Sequence, residues 1–492
     1  MDIEKYKKMA VISSLSVLSI AAQSCVGQTV AATPSGKIDT SKQASHLDAR
    51  PVCDSNRKNI IYQILLPVYT HEGTLNKARQ MLPHIKDSGF NVVYLCPVVE
   101  HDDGADRTFW SKRQKASNTN NPKNPYRLKD YFKIEPDYGT DADLKNFVDD
   151  AHKLGMKVIL DLVYYHCGPN ATIIKKDKNL VVLDKDGNVK KGAWSFPELN
   201  FSNHDLREML FENMEYFVKK FGVDGYRTDA EQYVPADFWI EAYRRVSKIK
   251  PDIFMLAESD RADAAVYAYD AHYGFGWHQT LAKVLEGKLP ASAIRKQWEK
   301  DLAKDANGTL LIRDMDNHDT SSDYCARVGK RYEQIFTSAG MDLVQVLNYT
   351  IDGIPMVFCG NEFADDAYLS MFSSPKFGKM ELAWENLNTA RGKARLALMK
   401  KLSELRMSNK ALWKGKTAWL DNSAPDAVVS FVRTCDGEKI AVLANATNKP
   451  AEAVVEIGTG SIMFLRGAEL SANGDKTRAK LAPYAYAVVK LK

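Results

Sequence analysis

Gly222–Pro235 reads GVDGYRTDAEQYVP. Val223–Arg227 has the β-branched and aromatic character of a short buried strand. It ends in two charged residues, Arg227 and Asp229, spaced by two. A period of two puts both on one face of an extended segment, and a guanidinium beside a carboxylate favours the ionised carboxylate. An ionised carboxylate at a strand end is what a covalent nucleophile requires. Taken alone, Arg-x-Asp reads first as a structural ion pair at a strand end, and the two further acidic strand ends are what change that.

Two further apolar runs end in carboxylates. Ile253–Glu258 (IFMLAE) finishes on Glu258 after an apolar approach, a setting that raises a carboxyl pKa and keeps a proton available. Leu310–Asp319 (LLIRDMDNHD) finishes on His318 and Asp319. Two carboxyls whose pKa values are pushed apart suit the cleavage of a glycosidic bond.

On either side of this stretch, apolar runs of strand length alternate with helical patterns at Ile60–Leu66, Asn91–Pro97, Lys157–Val163, Val223–Arg227, Ile253–Ala257, Thr309–Met315 and Ile354–Cys359, with a sixth strand in the series expected near Ala265–Tyr269. Strand–helix alternation implies parallel units, and eight of them close into an α/β (β/α)8 TIM barrel with its chemistry at the C-terminal strand ends. A doubly wound open sheet is the alternative, but no glycine-rich phosphate turn follows Ile60–Leu66.

About 40 residues between the third and fourth strands, 167–205, form a short excursion with a turn at Asp186-Gly187-Asn188. After residue 408 the pattern changes to alternation, which predicts a C-terminal antiparallel β-sandwich over 409–492. The barrel itself is expected over 56–408.

With 492 residues, 45% hydrophobic and 26% charged, the chain fits a soluble globular protein of several domains. Lys and Arg exceed Asp and Glu by only 67 to 62, and no basic stretch suggests a nucleic-acid or membrane surface. A neutral substrate fits this balance, and a monomer is expected.

The N-terminus carries Lys5, Lys7 and Lys8, then the apolar Met9–Ala22 and small residues before Cys25. This predicts a signal peptide over 1–25 and export across the inner membrane. Ala22-Gln23-Ser24-Cys25 resembles a lipoprotein cleavage site, so the product is expected as a cell-envelope lipoprotein anchored at Cys25, with a periplasmic or extracellular protein as the alternative. Membrane fractionation of wild type against Cys25→Ser checks this: lipidation predicts release by the substitution, whereas a soluble wild type would contradict it. Residues 26–55, rich in Thr, Ser, Ala and Lys without apolar period, read as a flexible linker. The cysteines lack a CxxC pair, and Cys96 and Cys359 inside apolar runs read as buried free thiols.

The four stretches DLVYYH (Asp161–His166), GYRTD (Gly225–Asp229), AES (Ala257–Ser259) and DNHD (Asp316–Asp319) resemble, in order and spacing, the signature regions of the α-amylase family, glycoside hydrolase family 13. FPELN (Phe196–Asn200), NPYRLKDY (Asn124–Tyr131) and GIPMVFCGNE (Gly353–Glu362) support the resemblance, which runs from about Ile60 to the C-terminus.

The resemblance implies that Asp229 is the nucleophile, Glu258 the general acid/base and Asp319 the carboxylate that steadies the transition state. It implies that His166 and His318 hydrogen-bond the sugar, that Arg227 partners the nucleophile, and that Tyr126 is an aromatic platform for the ring. Asp130 matches a nearby acidic position whose role reads as structural. Phe109, Trp110, Tyr164, Tyr165 and Tyr233 are candidates for further sugar contacts or for core packing.

Where the family usually has a calcium-ligating Asn before the histidine of its first region, this chain has Tyr165, and Tyr233 stands where a His often follows the nucleophile. A phenol ring does not replace those ligands. The expectation is therefore no required metal or other cofactor.

The function implied is hydrolysis of α-1,4 bonds in starch-like α-glucans or maltooligosaccharides with retention. Transglycosylation, isomerisation or α-1,6 cleavage by the same intermediate is the enzymatic alternative. A non-catalytic glucan-binding protein is the alternative from another class, and the presence of all three carboxylates argues against it.

Overall fold

The computed structural model describes residues 46–117, 119–320 and 330–492. The signal segment, Cys25 and residues 26–45 of the linker lie outside the described residues.

Eight parallel strands close into a barrel in sequential order: β1 (Ile61–Ile64), β2 (Val92–Leu95), β3 (Lys157–Leu162), β4 (Gly225–Thr228), β5 (Phe254–Ala257), β6 (Ala271–Tyr273), β7 (Leu310–Arg313) and β8 (Ile354–Phe358), with β8 pairing back onto β1. Nearly every strand residue is buried, because helices cover the outside and side chains fill the inside. That double burial is why these strands read as continuous apolar runs rather than as alternation.

The stretch Gly222–Pro235 is set from both sides. The helix His204–Phe221, capped by the Asn203 side chain, ends at Gly222, whose φ of 80° is the left-handed conformation that glycine tolerates at a helix end. Asp224 then accepts the Val158 N–H at 2.7 Å and pairs with His152 and Lys250, tying β4 to β3. At Gly225 a Cβ would lie 2.2 Å from the Phe254 carbonyl, so only glycine lets β5 approach this closely.

Two expectations are corrected. The sixth strand is Ala271–Tyr273, whereas Ala264–Tyr267 coils into a single helical turn. The strand is three residues long and includes His272, so it lacks the apolar run that marks the others. It is placed by the buried Asp270, which accepts the Met255 N–H at 2.8 Å and pairs with Arg50 at 2.7 Å.

Those contacts also correct the linker boundary. Asp48 bridges Asn307, and Arg50 N–H donates to the Ala265 carbonyl, so the chain is attached to the barrel before residue 56.

The C-terminal region is antiparallel, as expected. Its strands are β9 (Lys416–Trp419), β10 (Val428–Cys435), β11 (Glu438–Asn445), β12 (Ala451–Glu456), β13 (Gly460–Asn473) and β14 (Lys476–Leu491). They form one six-stranded sheet that curls until Asn422 bridges Val455. Alternation assigns its two faces: Ile440, Val442 and Val488 join the barrel's apolar core, while Ala441, Leu443 and Leu481 close a second, smaller one.

Candidate active site

Asp229 and Glu258 stand one residue beyond β4 and β5, and their backbones continue the ladder. Asp229 N–H donates to the Leu162 carbonyl at 2.8 Å and Glu258 N–H to the Thr228 carbonyl at 3.1 Å. Both carboxylates are thus carried on sheet rather than loop, the rigid placement a reacting pair requires.

At their centre is Arg227, fully buried. One guanidinium nitrogen lies 2.7 Å from Asp161 and 2.9 Å from Asp229, and the other lies 2.8 Å from Glu258. The pairing of Arg227 with Asp229 matches the period-two expectation. Asp161, assigned no role in the sequence reading, is its buried anchor and also accepts the hydroxyls of Tyr94 at 2.7 Å and Tyr126 at 2.8 Å.

The ionisation expected of Asp229 is corrected. Burial, with the Glu258 charge beside it, pushes the Asp229 carboxyl well above its usual range despite Arg227. The reason is that this single cation is shared by three carboxylates. Burial also pushes Glu258 up to about 7. The Asp229/Glu258 pair therefore tends to keep a proton as the pH approaches neutrality.

Asp319 behaves in the opposite way. Its position in the cleft opposes ionisation, but His318 and Arg113 beside it hold it far below the usual carboxylate range. His318 is itself lowered to about 4 by burial, so near neutral pH it is uncharged, and the Arg113 guanidinium, 2.6 Å from Asp319, is a cation that favours the ionised carboxylate.

His318 is clamped between Gln63, 2.9 Å from Nδ1, and the Tyr126 hydroxyl, 2.7 Å from Nε2. The Tyr126 ring stacks on it at 5.1 Å and 12°. His166, lowered to about 3 by burial, has its Nε2 3.7 Å from Asp229. Asp130 accepts the Phe132 N–H and serves its own loop.

These groups share a cleft of about 570 Å³. The structure brings Tyr126, His166, Asp229, Glu258, His318 and Asp319 to its lining, with Arg227 beneath. Of the other aromatics named from sequence, Trp110 and Tyr164 are buried in packing, Tyr164 against Trp239. The cleft instead takes Trp194 and Phe196 from the excursion, which the sequence reading missed. Trp194 and Ser195 have φ of 57° and 70°. Such left-handed non-glycine residues concentrate at functional sites, but neither residue type announces the conformation.

The residues around the family's metal position do not fit a cation site. The Tyr165 hydroxyl donates to Glu198 at 2.6 Å, and its ring stacks on Tyr233 at 4.8 Å, filling the seam between barrel and excursion. The buried carboxylate Asp102, which the excursion's Asn170 N–H reaches at 2.6 Å, already has a cation in Arg127, 3.4 Å away. The Arg127 guanidinium also donates to the carbonyls of Asp102, Gly104, Phe109 and Pro122, clasping both ends of the loop that follows β2. Among the described residues no three His, Cys, Asp or Glu side chains gather as a metal-holding group.

Arg127→Met leaves Asp102 buried without its cation, and an uncompensated buried charge costs about 3–5 kcal/mol. Denaturant unfolding should show a loss of that size, and a loss below about 1 kcal/mol would mean the clasp contributes little.

A family model described as the alpha amylase catalytic domain matches residues 49–191 and 189–371. "Alpha-amylase 2" of Dictyoglomus thermophilum is 22% identical over 399 residues, 77% of this chain and 64% of that protein. A "Cyclomaltodextrinase" of a Bacillus species is 25% identical over 398 residues, 76% of this chain and 65% of that one. The chain thus spans just under two thirds of the length of these relatives. Among solved structures, the maltogenic alpha-amylase AmyB of Thermotoga neapolitana superposes with a TM-score of 0.75 at 20% identity, over 89% of this chain and 99% of that one.

Proposed function

This chain belongs to the α-amylase family, and we propose that it hydrolyses α-1,4-glucosidic bonds of maltooligosaccharides or starch-like glucans with retention of configuration. The observation that carries the reading is one buried guanidinium flanked by Asp229 and Glu258, with Asp319 in the same cleft.

In this reading Asp229 attacks the anomeric carbon while Glu258 gives its proton to the departing glucosidic oxygen, so the C–O bond breaks and a glucosyl ester forms. Glu258, now ionised, takes a proton from water. As it loses that proton the water attacks the anomeric carbon, so the bond from that carbon to the Asp229 oxygen breaks and the Asp229 carboxylate is freed. Asp319, held ionised by Arg113, stabilises the positive charge that develops on the ring. Tyr126, His166 and His318 orient the sugar.

The relatives' names, an alpha-amylase and a cyclomaltodextrinase, agree with an α-glucan as substrate. The test is product analysis on linear, cyclic and α-1,6-linked glucans. Cleavage of maltooligosaccharides supports the proposal, and activity confined to α-1,6 bonds would overturn the linkage.

We also propose that no metal is required, since Tyr165 with Glu198 and Arg127 with Asp102 satisfy one another. Thermal melting in chelator and in excess calcium should coincide. A bound calcium at a hundred times its Kd would stabilise by about 2.7 kcal/mol, so a rise of several degrees with calcium would contradict this.

A further inference from the structure

Arg113 does more than hold Asp319 ionised. It sits on the short helix Lys112–Ala116 in the loop after β2, yet its guanidinium reaches the segment beyond β7, 2.6 Å from the Asp319 carboxylate and 3.5 Å from its carbonyl. The same guanidinium meets the Met371 sulfur, beyond β8, at 3.8 Å. A second tie runs alongside, from the Asn121 amide to the Phe372 carbonyl at 3.1 Å. In the barrel order β7, β8, β1, β2, these contacts carry the loop after β2 across the mouth of β1 and join it to the far side.

The join is a partition. Met371 lines both the catalytic cleft and a second hollow of about 500 Å³. Ser111, Arg113 and Asn124 of the loop after β2 face the first, while Asn121, Pro122 and Lys123 face the second.

Which end of a substrate meets this wall follows from the acid. Glu258 accepts the Ala230 N–H at 2.8 Å, on the β4 side, and the group it protonates belongs to the departing sugar. Departing sugars on that side pass Ala230 toward Trp194, which lines the cleft, and Tyr233 beside it, side chains that are 47% and 52% exposed. The retained sugar lies over Tyr126 and Asp319, and anything attached beyond it meets Arg113 and Met371.

We infer that the cleft is a pocket for the non-reducing end of an α-glucan, with Arg113 and Met371 as its end wall, so that the enzyme releases short products from chain ends. The inference rests on the α-glucan reading above and adds the mode of attack to it.

The test compares maltohexaose with maltohexaose carrying a 4,6-O-ethylidene group on its non-reducing ring, with products followed by chromatography. Wild type should cleave the free chain at least about 100-fold faster, the scale on which a shaped pocket discriminates, and one short product should dominate from the first turnovers. Arg113→Gly, and separately Met371→Ala, should narrow that ratio to within about tenfold, the discrimination that remains once the wall is opened. A ratio moves only if the wall moves, so a general loss of structure does not imitate the result.

Equal cleavage of both chains by wild type, with a broad ladder of products, would overturn the inference. Rejection of the blocked chain that survives both substitutions would remove Arg113 and Met371 as the wall. If neither chain is cleaved by any variant, the α-glucan reading fails and this inference fails with it.

Discussion

Asp229→Asn is expected to reduce kcat by at least about 10⁴-fold, the scale on which a single member of a nucleophilic unit is lost. The amide keeps the shape and still accepts from Arg227, 2.9 Å away in the native site, but it cannot form a glucosyl ester. Stability should not fall. Burial and Glu258 disfavour the ionised form of Asp229, so a neutral side chain there relieves a conflict, and gains of this kind are common when a catalytic group is removed. Steady-state kinetics with thermal melting checks both parts. A variant that keeps more than about 10% of kcat would place the nucleophile elsewhere, since losses that small do not follow removal of a nucleophile.

Glu258→Gln is the second large effect, and it depends on the leaving group. A sugar alkoxide needs a proton to depart, so hydrolysis of maltooligosaccharides should fall by about 10²–10⁴-fold, the usual contribution of a positioned acid. An aryl glucoside with an acidic phenol needs little help, so its glucosylation step should be largely kept, and a burst of phenol should precede a slow second step. Equal losses on both substrates would argue against Glu258 as the acid.

The same carboxyl sets a pH dependence. The proposed mechanism requires Glu258 protonated, and its pKa is pushed up to about 7 by burial, so kcat/KM of the wild type should fall as the pH rises through that region. On the acid side it should fall as Asp229 gains its proton, above the ordinary carboxylate range because that carboxyl is raised too. In Glu258→Gln the alkaline fall should vanish for the aryl substrate. Its persistence would assign that limb to another group.

The barrel and two of its carboxylates were legible in the sequence for a physical reason. Parallel strands buried on both faces read as uninterrupted apolar runs, and a carboxylate directly after such a run, as Asp229 and Glu258 are, falls at the barrel mouth. Asp319, six residues beyond the end of β7, was legible only through the resemblance of DNHD. The Arg227–Asp229 contact was legible too, because it is set by the local period of a strand. Asp229's ionisation was not. It depends on Asp161 and Glu258 competing for the same guanidinium, and those come from two other strands.

β6 escaped because its position rests on the buried Asp270 rather than on an apolar run. The cleft walls escaped for a related reason. Arg113 and Asp319 are 206 residues apart, and nothing local to either marks the pairing. Trp194 enters the cleft through a left-handed backbone that its residue type does not favour.

The central claim, a retaining cleavage carried by Asp229 and Glu258, is tested most directly by the configuration of the first product. Proton NMR of maltotetraose hydrolysis, read in the first minutes before mutarotation, should show the new reducing end appearing as the α-anomer, because two displacements at one carbon restore its configuration. Initial appearance of the β-anomer would mean a single displacement by water, and the assignment of Asp229 as a covalent nucleophile would be wrong.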